Sequence, residues 1–472
     1  MLILNKLNIF NYLKILIVIT LFLLLTPTTC IKAAEEDKYY TISVKNIDDY
    51  NKLMKLIPQY NAEIVYSVEE LGILQIKTNE TIMGKIGSNS IVDTYNPSLR
   101  SIESRPNFNK LRATLSQSNL WDMQWDMKKV TNNGESYKIF SGTKNVTVGI
   151  IDSGLDIQHP DLKSNIVSGS KNLVPKNGFR GKELEETGEI DRLIDLLGHG
   201  THVAGQIAGN GNIKGVAPEI GIKSYRVFGE RTAELLWIIK AIVEAAKDDV
   251  DVINISLGNY LINGTAFLDN QQSKTDLAEI KAFKKAITFA KKQGSVIVAA
   301  AGNDSLNVND KEQMYNFLRK KLKSDNISLD GNLLDVPASL PDVVTVSSTG
   351  PSNELSLFSN YGKGFIDIAS PGGDTRLLKE YGIEIWMEQN LDQKEQIIST
   401  GPDQGYFYDA GNSIAAPKVA GTLALIIDKN HLKNRPNQAV KILYKYGVDM
   451  DYTNQSLFGH GHLNTYKALQ KK

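Results

Sequence analysis

The chain has 472 residues, too many for a single compact domain and enough for two or three units. Hydrophobic residues make up 42% and charged residues 22%, which marks a globular chain and excludes a disordered one. Lys+Arg and Asp+Glu are both 53, giving a formal net charge of +0, so nothing in the balance points to a nucleic-acid partner or an anionic membrane surface.

Lys6 and Lys14 flank the start of an apolar run over residues 15–25, the pattern of an export signal occupying residues 1–34. Apolar residues also crowd positions 1–12, so an uncleaved segment that retains the chain at the membrane is the competing reading. Cys30 is the only cysteine, and no intramolecular disulfide can form. A secreted chain without disulfides fits a Gram-positive bacterium better than a eukaryotic secretory route.

Residues 38–98 read as a small separate domain. Residues 39–45 alternate like a strand, residues 47–57 have helical spacing, and residues 62–66 and 73–77 are strand-like. A short helix over residues 81–86 and a strand over 90–95 complete the order β-α-β-β-α-β, the ferredoxin-like α+β arrangement. Residues 99–117 are polar and carry Arg100, Arg105 and Arg112, which marks a linker open to proteolysis.

From residue 118 to 472 short apolar runs alternate with helical patterns. The runs 146–151, 250–256, 295–300, 343–347 and 365–369 suit parallel strands buried on both faces. Helical spacing covers 200–208, 236–247, 276–293 and 414–428, and the alternation predicts a three-layer α/β fold around a mainly parallel sheet. Residues 307–335 are longer and more polar than a connection needs and read as a surface insertion.

Three segments carry chemistry. Val148-Gly149-Ile150-Ile151-Asp152 is an apolar run that stops at a carboxylate. Gly198-His199-Gly200-Thr201-His202-Val203-Ala204-Gly205 opens a helix with a candidate base, His199, among small residues that allow close packing against the sheet. Gly411-Asn412-Ser413-Ile414-Ala415-Ala416-Pro417 places a serine just ahead of the helical run, with Pro417 in its first turn, where a missing N–H costs nothing. A serine hydroxyl is a weak nucleophile and needs such a base. His199 and His202 also form an HxxH pair, but a zinc-peptidase helix needs two histidines four apart with a glutamate between, and that pattern is absent. His202 therefore reads as structural.

Asp152, His199 and Ser413 follow the chain order Asp, His, Ser known from subtilisin. From about residue 121 onward the chain resembles the subtilisin-like serine peptidases, and over its whole length it looks most like the bacterial lantibiotic leader peptidases. The resemblance implies that Asp152 orients His199, that Ser413 attacks the peptide carbonyl, and that Asn303, at the end of Ala300-Ala301-Gly302-Asn303, binds the oxyanion. It implies that Ser256-Leu257-Gly258 pairs with substrate backbone and that Glu230-Arg231-Thr232-Ala233 lies across the cleft. Asp304, next to Asn303, is expected near the pocket for the residue before the cut, where a carboxylate favours Arg or Lys; a solvated loop aspartate is the alternative.

The resemblance further implies an inhibitory pro-domain over residues 38–98 and self-cleavage after Arg100, Arg105 or Arg112. The expected product is a secreted serine endopeptidase, monomeric, acting on a precursor peptide. Its rivals are a broad degradative subtilase and a peptide-binding protein without catalysis. No cofactor is needed for the chemistry and no metal ligand set is expected. Structural calcium is doubtful, because residues 210–215 form a short loop, and Asp161 and Gln124 alone match ligand positions. The chain departs from the family pattern at Asn412 (usually Thr), Ile414 (usually Met) and Lys418 (usually His).

Overall fold

The computed structural model describes residues 36–102, 120–268, 273–324, 327–451 and 454–470. The export-signal segment, Arg105 and Arg112 lie outside the described residues.

The N-terminal unit forms a four-stranded antiparallel sheet from β1 (Lys38–Val44), β2 (Glu63–Val68), β3 (Ile73–Thr78) and β4 (Val92–Pro97), in the spatial order β2-β3-β1-β4. Helices Tyr50–Leu56 and Glu80–Gly87 lie between strands in the β-α-β-β-α-β order. Their apolar stripes supply Leu53, Met83 and Ile86 to a core shared with Ile42, Leu74 and Ile76. Asn79 caps the second helix, its Oδ1 accepting from Ile82 N at 2.9 Å.

A short strand β5 (Arg100–Ile102) leads out of this unit. The body that follows is built on β6 (Thr147–Asp152), β7 (Lys171–Asn172), β8 (Gly221–Arg226), β9 (Thr232–Glu234) and β10 (Val252–Ile255). β11 (Asn259–Leu268), β12 (Ser273–Lys274), β13 (Val296–Ala300), β14 (Ile327–Val336), β15 (Val343–Thr349) and β16 (Ile368–Pro371) come next. β17 (Ile397–Thr400), β18 (Tyr406–Asp409), β19 (Val448–Asp449) and β20 (His462–Leu463) complete the set. The main sheet has nine strands in the order β19-β20-β16-β15-β13-β10-β6-β8-β7, parallel except for the β19 edge.

Alternate residues of the central strands enter two cores, as the side-chain period of two requires. Val148, Ile150, Val252, Val296 and Val298 face the helices His199–Ala208 and Asn412–Lys429. Ile151, Ile253, Ile255, Ile297 and Ala299 face the helices Leu235–Lys247 and Leu277–Lys292. The sheet is thus covered on both sides, which is why β6, β10, β13 and β15 lie in short apolar runs.

The described part of residues 307–335 has regular structure of its own. It contains the helix Lys311–Leu322 and the strand β14, which pairs with β11 over ten positions from Asn259↔Val336 to Leu268↔Ile327. Leu306, Met314, Leu318, Ile327 and Leu333 give this arm a core of its own.

The N-terminal unit docks on the helices Leu235–Lys247 and Leu277–Lys292. Asn96 is buried there: its Oδ1 accepts from Ala278 N at 2.8 Å and its Nδ2 donates to Glu279. Glu70 pairs with Lys240 at 3.1 Å and Lys247 at 2.7 Å. Val68, Leu71 and Ile73 join the apolar core of the body.

Candidate active site

Three adjacent parallel strands, β13, β10 and β6, end side by side, and each delivers a candidate residue at or just beyond its carboxyl end. Ligand sites of open α/β sheets form there because the loops beyond the strand ends are free to vary. Asp152 is the last residue of β6, Ser256 follows β10, and Asn303 follows β13.

Asp152 is buried, and its Oδ1 lies 2.8 Å from His199 Nδ1. The same oxygen accepts from Ser153 N at 2.7 Å. His199 opens the helix His199–Ala208, whose start is held against the strand end: a methyl group on Gly200 would come within 2.2 Å of Gly154 O. Gly205 plays a different part from the one expected of it. A methyl group there would meet Ser399 Oγ and Thr400 Oγ1 at 2.3 Å, so this glycine admits β17, not the main sheet.

Asp195 was not singled out from sequence, yet it anchors this helix. Its Oδ1 accepts from Gly198 N and Ser153 Oγ, each at 2.7 Å. Its Oδ2 accepts from Thr201 N at 2.8 Å and Thr201 Oγ1 at 2.7 Å. Gly198 holds the N-cap place and has no side chain to cap with, so the capping carboxylate comes from further upstream.

His202 sits one turn behind His199, buried among backbone and ring contacts. Its Nε2 lies 3.1 Å from Ile397 O and its ring 4.7 Å from that of Phe407. Burial, and then the neighbouring His199, push its pKa down to about 3, so it stays neutral.

The serine helix starts earlier than its pattern suggests, at Asn412, so Ser413 lies inside the first turn and Pro417 deeper in the helix. Pro417 has no N–H for the carbonyl four residues back, and that carbonyl belongs to Ser413. Ser256 Oγ donates to Ser413 O at 2.8 Å and restores the missing bond. Thus Ser256 braces the serine turn, while exposed Gly258 is the part of the segment open to the cleft. Leu257 is buried in the core beneath.

Ser413 and Asn303 border one small space. A methyl group on Gly411 would lie 2.8 Å from Ser413 Oγ and 3.4 Å from Asn303 Nδ2. Ser413 is partly exposed and Asn303 exposed, so both face the cleft. The helices carrying His199 and Ser413 pack together through Val203, Ala204, Ile207, Ala416, Val419 and Ala420. Ser413 Oγ makes no hydrogen bond to a described residue; contacts of this kind often close only around substrate.

The Subtilase family profile matches residues 143–461, a span that holds all four of these side chains. The chain belongs to the subtilase family. It is therefore a serine peptidase. It is 40% identical over 449 residues to an epidermin leader peptide-processing serine protease of Staphylococcus epidermidis, covering 93% of this chain and 94% of the relative. It is 44% identical over 334 residues to the nisin leader peptide-processing serine protease of Lactococcus lactis, covering 71% of this chain and 48% of that protein. A crystal structure of the epidermin leader-processing enzyme from Staphylococcus aureus superposes with a TM-score of 0.81 at 41% identity, covering 92% of this subtilase and 98% of that chain. The crystal structure of the nisin leader peptidase gives 0.68 at 42% identity, covering 75% and 95%.

Within this subtilase, Asp304 is exposed and its Oδ2 accepts from Tyr260 Oη at 2.5 Å. A second carboxylate, Asp335, escaped the sequence reading because it lies at the far end of the insertion. It is buried between the Gly258 and Gly302 backbones. Its Oδ2 accepts from Gly302 N at 2.8 Å and Asn360 Nδ2 at 3.1 Å. Its Oδ1 has no partner among the described residues and lies 3.0 Å from where a Gly258 methyl group would stand. Burial pushes its pKa up to about 6.

The two residues expected as calcium ligands, Asp161 and Gln124, are hydrogen-bonded within the protein. Asp161 Oδ2 accepts from Ile213 N at 2.9 Å and Tyr406 Oη at 3.0 Å. Gln124 bridges both backbone groups of Lys214, at 2.9 and 2.7 Å. Among the described residues, no three His, Cys, Asp or Glu side chains are grouped to hold a metal.

At Lys418 the departure from the family pattern is a buried ion pair. Its ammonium lies 2.9 Å from Asp126 Oδ2, both side chains fully buried, and also donates to Ile414 O at 3.1 Å.

Proposed function

We propose that this subtilase is a secreted zymogen that removes the leader from a lantibiotic-type precursor by cutting after a basic residue. The observation that carries the reading is the match to an epidermin leader-processing protease along 93% of the chain. Asp152 holds Nδ1 of His199, leaving Nε2 to take the Ser413 proton as Oγ bonds to the peptide carbonyl carbon. The carbonyl oxygen becomes an oxyanion held by Asn303 Nδ2 and the Ser413 N–H. His199 returns the proton to the leaving amine as the C–N bond breaks, and water then hydrolyses the acyl-enzyme. No metal or cofactor enters these steps.

Substrate backbone adds a strand beside residues 256–258, and the side chain before the cut enters the space between Gly258 and Gly302. There the free Oδ1 of Asp335 meets a guanidinium or ammonium, with Asp304 at the rim. The N-terminal unit acts as a ferredoxin-like pro-domain covering residues 38–98, joined by a linker over residues 99–117 to a catalytic domain over residues 118–472. Support comes from β5, which pairs antiparallel with β9 (Arg100↔Glu234, Ser101↔Ala233, Ile102↔Thr232) and so occupies the edge a peptide would use. The enzyme works as a monomer, and its chemistry needs no cofactor.

Intact mass and N-terminal sequencing of the chain and its Ser413→Ala variant test this reading. The expected result is a shortened wild type, cut after Arg100, Arg105 or Arg112, and a full-length variant. A cut after an apolar residue would refute the basic preference. Wide clearing of casein would refute the narrow substrate.

A further inference from the structure

Asn303 is exposed, and nothing in its own backbone decides which end of its carboxamide faces the cleft. Only Nδ2 can bind an oxyanion; Oδ1 in that place would repel it. Something must select between two orientations that differ by half a turn.

The selection comes from one neighbour. Asn303 Oδ1 accepts from Asn412 N and from Asn412 Nδ2, each at 3.0 Å. Asn412 is fully buried and is itself held at both ends. Its Nδ2 donates to Gly302 O at 2.8 Å, and its Oδ1 lies 2.8 Å from Ser359 Oγ. Gly302 O can only accept, which fixes the end of Asn412 that faces it. Turning Asn303 over would set its NH₂ against two donors, so the buried Asn412 N would lose its acceptor and Asn412 Nδ2 would keep Gly302 O alone. With Oδ1 held, Nδ2 stays on the Gly411 side, next to Ser413 Oγ.

We infer that Asn412 is a positioning residue: through paired N–H donors it locks the Asn303 carboxamide with its NH₂ toward the oxyanion. The assignment rests on the oxyanion role proposed for Asn303. Asn412 does not touch the reacting atoms. Position 412 usually carries threonine in subtilases, whose hydroxyl cannot reproduce two carboxamide donors and an acceptor.

The test is steady-state kinetics on a peptide spanning a leader junction, using the full chain, with kcat normalised to sites titrated by a fluorophosphonate. Asn303→Ala alone examines the oxyanion role and is expected to lower kcat by ~10²–10³-fold. Asn412→Ala keeps the backbone donor and is expected to lower kcat by about 10-fold with KM within about 2-fold, a fraction of losing the whole donor. Asn412→Asp places an oxygen against Asn303 Oδ1 and Gly302 O, and a larger loss of kcat is expected. In the Asn303→Ala background neither substitution at 412 lowers kcat further by more than about 2-fold, because there is no amide left to orient. Equal losses in both backgrounds would show a structural role and overturn the assignment. An unchanged kcat in Asn412→Asp would overturn it too. If Asn303→Ala leaves kcat intact, the oxyanion role itself falls and the assignment with it. Thermal melting of each variant separates a folding defect from a lost orientation.

Discussion

Replacing Asp335 by Asn tests whether a buried carboxylate selects the residue before the cut. The change preserves shape, and the remaining carboxamide oxygen still accepts from Gly302 N and Asn360 Nδ2, so the pocket wall stands. What disappears is the charge on Oδ1, which has no partner among the described residues. A charge pair at about 4 Å in an effective dielectric near 20 is worth ~4 kcal/mol. Desolvating the incoming guanidinium offsets part of that, leaving about 3–4 kcal/mol, or ~10²–10³-fold at 1.36 kcal/mol per decade. The assay is kcat/KM on two fluorogenic peptides that differ only in Arg or Leu before the bond. Asp335→Asn should lower the Arg value by that factor and leave the Leu value within about 3-fold, since the apolar guest gains nothing from the charge. Asp304→Asn, at an exposed position already tied to Tyr260, should change the ratio by under ~10-fold. The pH dependence has a definite sign. Burial raises the Asp335 pKa to about 6, so the carboxylate is charged above that pH and neutral below it. The Arg-to-Leu ratio should therefore fall as pH drops through 6, and the shared catalytic base cancels in the ratio. A ratio that moves less than about 5-fold in Asp335→Asn, at a pH where wild type prefers Arg, would refute the reasoning.

Lys418→Met should destabilise the body by ~3–5 kcal/mol, because the buried Asp126 loses its partner, and Asp126→Leu with Lys418→Met should recover most of the loss; chemical denaturation of both variants and the wild type checks this. Retention of the N-terminal unit after the connection is cut should weaken as pH rises. Glu279 is buried against Asn96 and its pKa is pushed up to about 8 by that burial, from an ordinary value near 4.5. A raised value in the docked state means docking takes up a proton: the contribution is full below 4.5 and is lost through 8. Gel filtration of cut protein between pH 6 and 8 measures it, and Glu279→Gln should flatten the dependence. A chelator should leave the melting temperature within about 2 °C of its value in calcium, whereas a saturated structural ion would contribute ~4 kcal/mol at a thousand times its Kd.

The parts legible in the sequence are those whose physical cause is local. Asp152 ends an apolar run, His199 begins a helix rich in small residues, and Ser413 sits between Gly411 and two alanines, so each could be read from its own neighbours. Strand β8 was missed because Lys223, Ser224 and Arg226 interrupt its apolar pattern. The structure keeps Arg226 buried by pairing it with Glu186 at 2.7 Å, a partner 40 positions away. The β11–β14 ladder was hidden for a related reason. Gly264 and Gly331 face each other in register, and each would drive a methyl group to within about 2.2 Å of the opposite backbone, so both strands carry glycine where alternation would demand a side chain.

The same contrast explains why the site's supports were harder to read than its reacting groups. Asp335, Ser256 and Asn412 act through partners that only the closed sheet brings near, whereas Asp195 reaches Gly198 and Thr201 close by in the chain and Ser153 across the fold. Pro417 shows the step between the two levels. As a sequence signal it marks the beginning of a helix; in the fold it strips the Ser413 carbonyl of its helical donor and creates a vacancy that Ser256, at the end of a different strand, fills at 2.8 Å. A local irregularity at Ser413 is thereby converted into a tether to the segment that follows β10. Replacing Ser256 by Ala should then cost on the order of 1–3 kcal/mol for the unsatisfied carbonyl. The loss should appear both in thermal stability and in kcat, since the turn that carries Ser413 is the one released. If Ser256→Ala lowers stability and leaves kcat untouched, the tether holds the fold alone and the nucleophile is positioned by its helix.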